Sequence, residues 1–555
     1  MMKNFIKYLF AIATAIFLAG CDLEEELVGQ YTEPNTVAGS EDKDIPPDNS
    51  GGQFDGQIVN DELEGAFAKL RDGTAGHNGY WSIVTVGGDD LFVGQKGGDW
   101  FDGGTWLQIH RHTNNATHEG TNNAWGATYG AINEANNVLS RGGLTDNEES
   151  QLKVLRAFFY WRLLDTWGNV KLITTPGQDA PQSSRSEVFN FVEKEVLDAL
   201  GINEVSASMD LTNSPLTTDD RKYRVNQFAA LALLTRLYLN AEIYTGTSMY
   251  QQAVDAATYI IDNGPYTLSD ENHSIRNLAK RTPDAATATA GNINDPDNLT
   301  GYAAVFAPNN QNNPEIIWSV NFASNLGGMN FAQMTLHYAS QTTFNLANQP
   351  WNGYQTVTEF YESYDSNDRR LSNFLEGPQY DYAGRPLIDW AADDYSDTGA
   401  QEVDVNYTPF NNELEPNACR QCGVRMYKFS FRQFQQNDMD NDFPLFRLGE
   451  VYMNRGEARA RAAGDWSQSL SDVNMIRRRA GVTEYTSISA DEYLAERGRE
   501  FYQEALRRTD LIRFGAWGDT WWEKDSPSEP FRTLFPIPQG QIDASNGTLT
   551  QNPGY

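Results

Sequence analysis

Hydrophobic residues in the middle of the chain recur at the three- to four-residue spacing of a helix. Between residues 226 and 244, apolar side chains cover nearly the whole circumference, which predicts a helix buried among neighbours. The stretch 249–262 carries a single apolar stripe and predicts a second helix. The sequence Asn-Gly-Pro that follows predicts a helix stop, because Gly264 can adopt a left-handed cap and Pro265 cannot continue the helix.

The same pattern of two helical stripes around a break recurs elsewhere in the chain. Residues 445–462 and 467–480 form a second pair, divided by Gly464 and Asp465, and 124–139 with 149–166 form a third. Short-looped helix pairs of this kind resemble tetratricopeptide hairpins, although no strict repeat of about 34 residues is kept. The predicted hairpin regions are approximately 124–167, 226–264 and 445–514.

A long region of irregular pattern lies between the helical pairs. Residues from about 266 to 440 are rich in Asn, Gly, Asp and aromatic residues, and only short apolar runs such as Ile316–Val320 predict strands. Loops of this length are uncommon unless they carry function. The pattern therefore predicts a mostly α fold with few short strands and a loop-rich lobe that binds ligand.

The first twenty residues have the three parts of a secretory signal peptide. Lys3 and Lys7 precede an apolar run at 8–18, and small residues precede Cys21. The segment 18–21, Leu-Ala-Gly-Cys, resembles the bacterial lipobox, in which the cysteine receives a lipid. The alternative is a plain signal peptide in which Cys21 stands by chance. We expect a signal peptide at 1–20, lipidation of Cys21 and a membrane association that depends on lipid alone.

An acidic run and a polar segment follow the cysteine. Residues 22–26, Asp-Leu-Glu-Glu-Glu, resemble the surface-export signal of Bacteroidota lipoproteins, and a solvated charged tail is the alternative. Residues 27–56 are rich in Gly, Pro, Ser, Asn and acids, which is typical of a flexible tether. We therefore expect a lipidated acidic tether at 21–56, a single domain at 57–555 and exposure on the outer membrane.

The charge excludes one class of partner. The chain has 42 Lys and Arg against 75 Asp and Glu, which gives a formal net charge of −33. Such a surface repels nucleic acid, because nucleic acid is bound by basic side chains that displace counterions from phosphate. We therefore expect no nucleic-acid partner.

Three cysteines are present, of which Cys21 is assigned to lipid. Cys419 and Cys422 form a single C-x-x-C, whereas a zinc site needs further ligands and a redox motif needs a thioredoxin-like context. We expect a disulfide that closes this loop in an oxidising compartment.

Residues typical of catalysis and metal binding also have a structural interpretation. Glu496 and Glu500 share a helix face at a separation that a glycosidase could use, but the arginines around them favour an ion-pair network that includes an i,i+4 pair of Glu504 with Arg508. We expect no enzyme activity from this pair.

Histidines and acids give a weak case for metal. His110 and His112 would share a strand face and His118 follows, but the second histidine of a zinc-protease motif is missing. Residues 365–370, DSNDRR, fit a helix cap better than a calcium loop, although a structural Ca²⁺ stays open. We expect no cofactor and no catalytic metal.

Six segments, in order, resemble the SusD/RagB family of outer-membrane nutrient-binding lipoproteins. Lys171-Leu172 departs from the pattern, since the family often has proline there. The segments are 156–160 (RAFFY) with 167–170 (WGNV), 447–451 (RLGEV), 474–481 (NMIRRRAG), 496–501 (ERGREF) with 510–513 (DLIR), 535–538 (FPIP) and 551–555 (QNPGY). The resemblance implies a SusD-like fold, capture of oligosaccharide or polysaccharide without catalysis, and delivery to a SusC-like TonB-dependent transporter.

Two aromatic, amide-rich stretches, 89–106 and 302–354, have the composition of a sugar-binding surface. Sugar rings stack on aromatic planes, and their hydroxyls pair with carboxylates and amides in a shallow polar-rimmed site. Trp318, Trp125 and Trp167 are expected in the core instead, and Trp521-Trp522 are outside candidates. The candidate ligand residues are Trp100, Trp351, Asp99, Asp102, Asp89, Asp90, Asn352, Tyr354, Trp106 and Tyr302.

The sequence leaves several functions to weigh. Flat aromatics on loops favour sugar over peptide, which binds largely through backbone hydrogen bonds in RagB-like members. The pattern is also compatible with a surface glycoside hydrolase or a helical-repeat adaptor. The acidic surface disfavours polyanions, so we expect a neutral glucan such as a laminarin-like β-glucan or a starch-like α-glucan.

Overall fold

Helices predominate in the computed structural model of the protein, which describes residues 61–269, 299–324, 326–391 and 403–555. The mostly α fold class is thereby confirmed. The longer helices and the short ones between them are α1 Asp61–Ala68, α2 Tyr80–Thr85, α3 Thr105–His110, α4 Glu119–Arg141, α5 Asp146–Thr166, α6 Arg185–Leu200, α7 Gln227–Leu239, α8 Ala241–Thr245, α9 Tyr250–Asn263, α10 Phe331–Thr335, α11 Gln341–Phe344, α12 Thr358–Glu362, α13 Leu448–Ala463, α14 Leu470–Ala480, α15 Ala490–Phe501, α16 Arg507–Arg513 and α17 Gln539–Ala544.

The strands are short and pair two by two. In the described ranges every sheet is a two-stranded antiparallel ribbon, with the pairs β1–β5, β2–β3, β4–β12, β6–β11, β7–β10 and β8–β9. The strands are β1 Leu91–Val93, β2 Val170–Lys171, β3 Gln182–Ser183, β4 Ile316–Val320, β5 Tyr354–Thr356, β6 Phe374–Leu375, β7 Gly377–Pro378, β8 Ile388–Asp389, β9 Val403–Asp404, β10 Asn406–Tyr407, β11 Arg425–Met426 and β12 Phe443–Arg447.

The predicted helical hairpins are present. Helix α4 packs against α5, α7 against α9, and α13 against α14. Helix α7 is buried along its whole length, as its all-round apolar pattern predicts. Helix α6, which is not among the predicted hairpins, packs against α5 and begins with a capping box between Ser184 and Glu187.

One helix boundary and one cap conformation differ from the prediction. The helix expected over 226–244 is interrupted at Asn240, which ends α7 and begins α8. The helix α9 does end before Gly264, but Gly264 has φ −75° and is not left-handed. Glycine is needed there for space instead, because a Cβ would lie 2.6 Å from the Ile260 carbonyl oxygen.

The helix predicted from residue 445 starts later. Residues Phe443–Arg447 form β12, which pairs with the predicted strand β4, and α13 begins only at Leu448. Both strands are fully buried, and apart from Ser319 and Arg447 their side chains are apolar on both faces, so they carry no alternation that separates strand from helix.

The acidic residues of α15 form a buried ion-pair network, as predicted. Arg370 and Arg477 contact Glu496 at 2.7 and 2.6 Å, and Arg447 contacts Glu500 at 2.8 Å. Burial alone would raise the pKa of Glu496, but Arg370, Arg499 and Arg477 lower it to about 2. The network joins α15 to distant parts of the chain.

The pair predicted between Glu504 and Arg508 on this helix is wrong. Helix α15 ends at Phe501, and Gln503 and Ala505 have positive φ angles, so the two residues do not share a helix face. Glu504 pairs with Arg447 at 2.7 Å, and Arg508 pairs with Asp165 at 2.8 Å. The sequence pattern continues through this turn without a break, and it therefore predicts one continuous helix.

The predicted core tryptophans are confirmed: Trp125, Trp167 and Trp318 are buried. The described residues all belong to one compact unit. The signal peptide, Cys21 and the tether at 21–56 lie outside the described residues, as do parts of the loop-rich region. Within the described ranges, no helix combines the length and the apolar character needed to cross a membrane.

Candidate functional site

Trp100 and Trp351, 251 positions apart in the chain, lie side by side. Their ring centroids are 5.6 Å apart, and the Trp100 backbone N–H donates to the Trp351 carbonyl oxygen at 3.3 Å. Both side chains are partly exposed. The fold thus brings the two predicted stacking residues into one aromatic surface.

His77 is the third ring of this surface and was missed by the sequence analysis. Its ring lies edge-on to Trp351 at 4.9 Å and to Trp100 at 5.6 Å. The Asn330 side-chain amide donates to His77 Nδ1 at 3.1 Å, and burial lowers the pKa of His77. We call Trp100, Trp351 and His77 the aromatic patch, and Asn330 lies at its edge.

The ring of Trp100 lies directly against Gly353. A Cβ on Gly353 would lie 2.3 Å from Cε3 of Trp100, so a side chain there would displace the indole. Beneath it, Tyr354 stacks on Trp100 with centroids 5.7 Å apart and an interplanar angle of 24°. The patch is therefore supported from below by strand β5.

The glycine-rich loop around Trp100 follows a path that ordinary residues rarely adopt. Gly97, Gly103 and Gly104 have φ angles of 53°, 62° and 88°. The loop returns directly into α3, whose Trp106 is fully buried and donates its indole N–H to Asp102 at 3.0 Å. Trp106 therefore anchors the loop, while Trp100 keeps part of its surface exposed.

A charged and amide network fixes the other side of the loop. Asp99 accepts a hydrogen bond from the Asn352 side-chain amide at 2.9 Å and from Arg420 Nε at 3.2 Å. The Asn352 amide also donates to the Arg420 carbonyl at 3.0 Å, and Asn352 Oδ1 accepts from Arg425 at 2.9 Å. Asp99 is partly exposed, whereas Asn352 is buried.

Five of the predicted ligand residues are buried, which corrects their assignment. Trp106, Tyr354 and Asn352 are 0% exposed, and Asp90 and Tyr302 are 1% exposed. Tyr302 belongs to the ion-pair network around α15 instead, where its hydroxyl donates to the Glu500 carbonyl at 3.2 Å. The aromatic composition of a loop does not reveal which rings point inward.

Asp89, another predicted ligand residue, lies outside the aromatic patch. It forms two hydrogen bonds with Arg507, at 2.7 and 2.6 Å, and lines a cleft that also contains Trp521 and Trp522. This cleft lies at the far end of the β1–β5 ribbon, since Val357 after β5 donates to the carbonyl of Asp90 before β1 at 2.9 Å. The patch lies at the opposite end, where Tyr354 pairs with Val93.

The expected disulfide between Cys419 and Cys422 is present. The loop it closes carries Arg420, the residue that contacts Asp99 through its side chain and Asn352 through its carbonyl. The disulfide loop thus packs against the base of the patch.

Trp390 is an exposed ring that the sequence analysis missed. It is 56% exposed and packs edge-on against Tyr338 at 4.7 Å. Its neighbour Ala391 accepts a hydrogen bond from Arg420, which connects this segment to Asp99. No helical or strand periodicity marks Trp390, which follows the two-residue strand β8.

The predicted strand face for His110 and His112 is wrong. His110 ends helix α3, and His112 follows with φ 54°. Burial lowers the pKa of His110 to about 4 and of His112 to about 3, and their Nε2 atoms hydrogen-bond to the carbonyls of Trp522 and Gly87. These rings therefore serve packing in the core.

Asp368, in the acidic segment 365–370, caps the short 3-10 helix Arg369–Asn373, as predicted. Its carboxylate also pairs with Arg370 at 2.7 Å. Whether calcium binds stays a prediction. Within the described ranges, no group of three or more His, Cys, Asp or Glu is arranged to hold a metal ion.

Comparisons with known proteins agree with this architecture. The family model described as "SusD family" matches residues 308–555, and one described as "Starch-binding associating with outer membrane" matches 96–239. Among curated relatives, the starch-binding protein SusD of Bacteroides thetaiotaomicron is 24% identical over 466 residues, which cover 74% of each chain. The SusD-like protein P25 of Formosa agariphila is 22% identical and covers 78% of this chain and 79% of its own.

The alignments with solved structures of similar fold cover nearly the whole length of each solved chain. Surface glycan-binding protein A from Bacteroides thetaiotaomicron, in complex with laminarihexaose, aligns with a TM-score of 0.64 at 20% identity and covers 89% of this chain and 98% of that chain. A SusD superfamily protein from Parabacteroides distasonis aligns with a TM-score of 0.66 at 18% identity over the same shares. The solved structures show that this chain shares their fold, and the two family models with the curated relatives show that it belongs to the SusD/RagB-like family.

Proposed function

We propose that the protein is a cell-surface lipoprotein that captures a neutral glucan, such as a laminarin-like β-glucan, and passes it to a SusC-like TonB-dependent transporter. The observation that carries the proposal is the aromatic patch. Trp100 and Trp351 present two partly exposed rings on a supported loop, and Asp99 and Asn330 lie beside them. Such a surface suits the flat faces and hydroxyl groups of sugar rings.

The relatives support the choice of ligand. The curated relative from Bacteroides thetaiotaomicron is named a starch-binding protein, and one structural neighbour was solved with laminarihexaose. The formal charge of −33 further disfavours polyanions such as alginate. A neutral glucan is therefore the substrate class we propose.

Binding without hydrolysis is part of the proposal. Glu496 and Glu500 are both 0% exposed and are held by arginine pairs. With a pKa of about 2, Glu496 stays ionised at neutral pH and cannot serve as the general acid that glycoside hydrolysis requires. The named relatives are likewise binding proteins.

The direct test uses the chain without residues 1–21 in native gels that contain laminarin, starch, xylan or alginate. We expect retardation by a neutral glucan and none by alginate. Replacement of Trp100 by alanine should abolish the retardation. The control is Tyr259→Ala, which removes a partly exposed ring from helix α9 in the helical half. Peptide binding by calorimetry without retardation by any neutral glycan would overturn the sugar assignment in favour of a peptide-binding, RagB-like role.

The anchor and the transporter are tested separately. We expect Cys21→Ser to release the protein from outer-membrane fractions, because lipid alone attaches it. Co-expression with the TonB-dependent barrel encoded nearest to it should yield a complex that survives purification in detergent. Recovery of the two proteins in separate fractions would contradict the proposed partnership.

A further inference from the structure

A second cleft lies at the end of the β1–β5 ribbon opposite the aromatic patch. It has a volume of about 530 Å³. Small-molecule sites in proteins have volumes of roughly 300–1,000 Å³, so this cleft has the size of a binding site. Its walls come from the segment before β1, from α12, from α15 and α16, and from residues 516–522.

Two adjacent indoles form the aromatic part of the cleft. Trp522 packs on Phe92 of β1 with centroids 4.7 Å apart, and its carbonyl accepts a hydrogen bond from His110 at 2.8 Å. Trp521 lies edge-on to His112 at 5.1 Å. Both indoles remain partly exposed, so they are held in place by the core and still offer surface to a ligand.

Polar groups complete the cleft. Asp89 is oriented by its two hydrogen bonds to Arg507, and Thr520 contributes an exposed hydroxyl.

We propose that this cleft is a second saccharide-binding site, which takes one or two pyranose rings at the end of a neutral oligosaccharide. Preformed indoles beside carboxylate acceptors and a hydroxyl are the groups that a sugar ring needs. The site is separate from the aromatic patch and does not depend on it for any of its lining residues.

The charges of the cleft decide between classes of sugar. Asp89, Glu359 and Asp519 supply three carboxylates to its wall, against the guanidinium of Arg507 and the ammonium of Lys524, which lies 4.2 Å from the ring centroid of Trp521. A uronic acid would bring a further negative charge among these carboxylates and would be repelled. The cleft therefore selects neutral sugars over acidic ones.

The test uses protein labelled with 5-fluorotryptophan and fluorine NMR, with laminaribiose and maltose as neutral probes and glucuronic acid as the acidic one. The Trp521, Trp522 and Trp100 resonances are assigned from the Trp521→Phe, Trp522→Phe and Trp100→Phe variants. We expect both resonances to shift saturably with a neutral disaccharide, and equally so in Trp351→Ala protein, because that change leaves the cleft intact. Glucuronic acid should shift them at least about tenfold more weakly.

Thr520→Phe is the blocking variant, since it adds a ring at an exposed position of the rim. It should weaken the shifts about tenfold while the thermal midpoint and the Trp100 shift stay unchanged. Absence of shifts at Trp521 and Trp522, shifts that survive the block, or equal binding of glucuronic acid would each overturn the second site. The Trp100 resonance reports the aromatic patch in the same spectra, so failure of the proposed glycan binding is seen separately.

Discussion

Replacement of Trp351 by alanine separates ligand binding from folding at the aromatic patch. The Trp351 side chain is partly exposed; its ring contacts His77 at 4.9 Å and Trp100 at 5.6 Å and packs against the hydrophobic core. The backbone N–H that positions the residue donates to Gln333 at 2.8 Å and is kept in the variant. The substitution therefore removes a ligand surface and leaves the loop held.

The expected size of the effect follows from the area of the ring. A tryptophan side chain buries about 200 Å², so one face that stacks on a sugar contributes about 100 Å². At about 25 cal/mol per Å², its loss costs about 2.5 kcal/mol of binding free energy. Since about 1.4 kcal/mol corresponds to a factor of ten, we expect the affinity to fall about 70-fold.

Isothermal titration calorimetry with laminarihexaose measures this change, and thermal unfolding measures stability. The contrasting variant is Trp106→Ala, whose ring is 0% exposed. That variant should lose about 3–5 kcal/mol of unfolding free energy, because it leaves a cavity. Trp351→Ala should change the unfolding free energy by less than about 1 kcal/mol. Undiminished affinity in Trp351→Ala, or a loss of stability as large as that of Trp106→Ala, would refute the assignment of this ring to the ligand face.

Three further predictions concern the support of the patch and the core. Gly353→Ala should weaken glycan binding in calorimetry, because its Cβ would lie 2.3 Å from the Trp100 ring; binding equal to wild type would contradict the role of the glycine as a base for the indole. Cys422→Ser should lower the unfolding free energy by about 2 kcal/mol and weaken glycan binding, since the opened loop no longer holds Arg420. Denaturant melts measure the first change and calorimetry the second, and a change in only one of them would contradict this prediction. Burial, with the charge of Asp89 next to it, raises the pKa of Asp90 to about 7, so its contribution to stability is fully present below its unfolded pKa of about 3.8 and is lost as the pH rises through about 7. Asp90→Asn should therefore gain stability relative to wild type between about pH 4 and pH 8 in urea melts, by up to about 4 kcal/mol, and a pH-independent difference would contradict this.

The helical half of the fold could be predicted from local pattern. The apolar stripes at 124–166, 226–262 and 467–480 each correspond to helices, because amphipathic periodicity is written into neighbouring residues. The predicted helix boundaries were wrong where tertiary contacts determine the secondary structure. Phe443–Arg447 became a strand because it pairs with Ile316–Val320 more than a hundred residues away.

The candidate site could be predicted only in part. Composition pointed to Trp100 and Trp351, which the structure brings together. His77 and Arg420 could not be found, because their roles depend on contacts with residues hundreds of positions away and neither lies in an aromatic-rich stretch. Tyr354 was placed on the surface although it lies beneath Trp100, since the pleat of a short strand and the path of a glycine loop decide which rings face inward.

The measurement that tests the central claim most directly is the structure of the protein in complex with a neutral hexasaccharide such as laminarihexaose. We predict a sugar ring stacked on Trp100 or Trp351, with carbon atoms within about 4–4.5 Å of the indole and hydroxyls near Asp99. A glycan bound with high occupancy away from both rings, and with no contact to His77, would contradict the assignment of the aromatic patch as the glycan-binding surface.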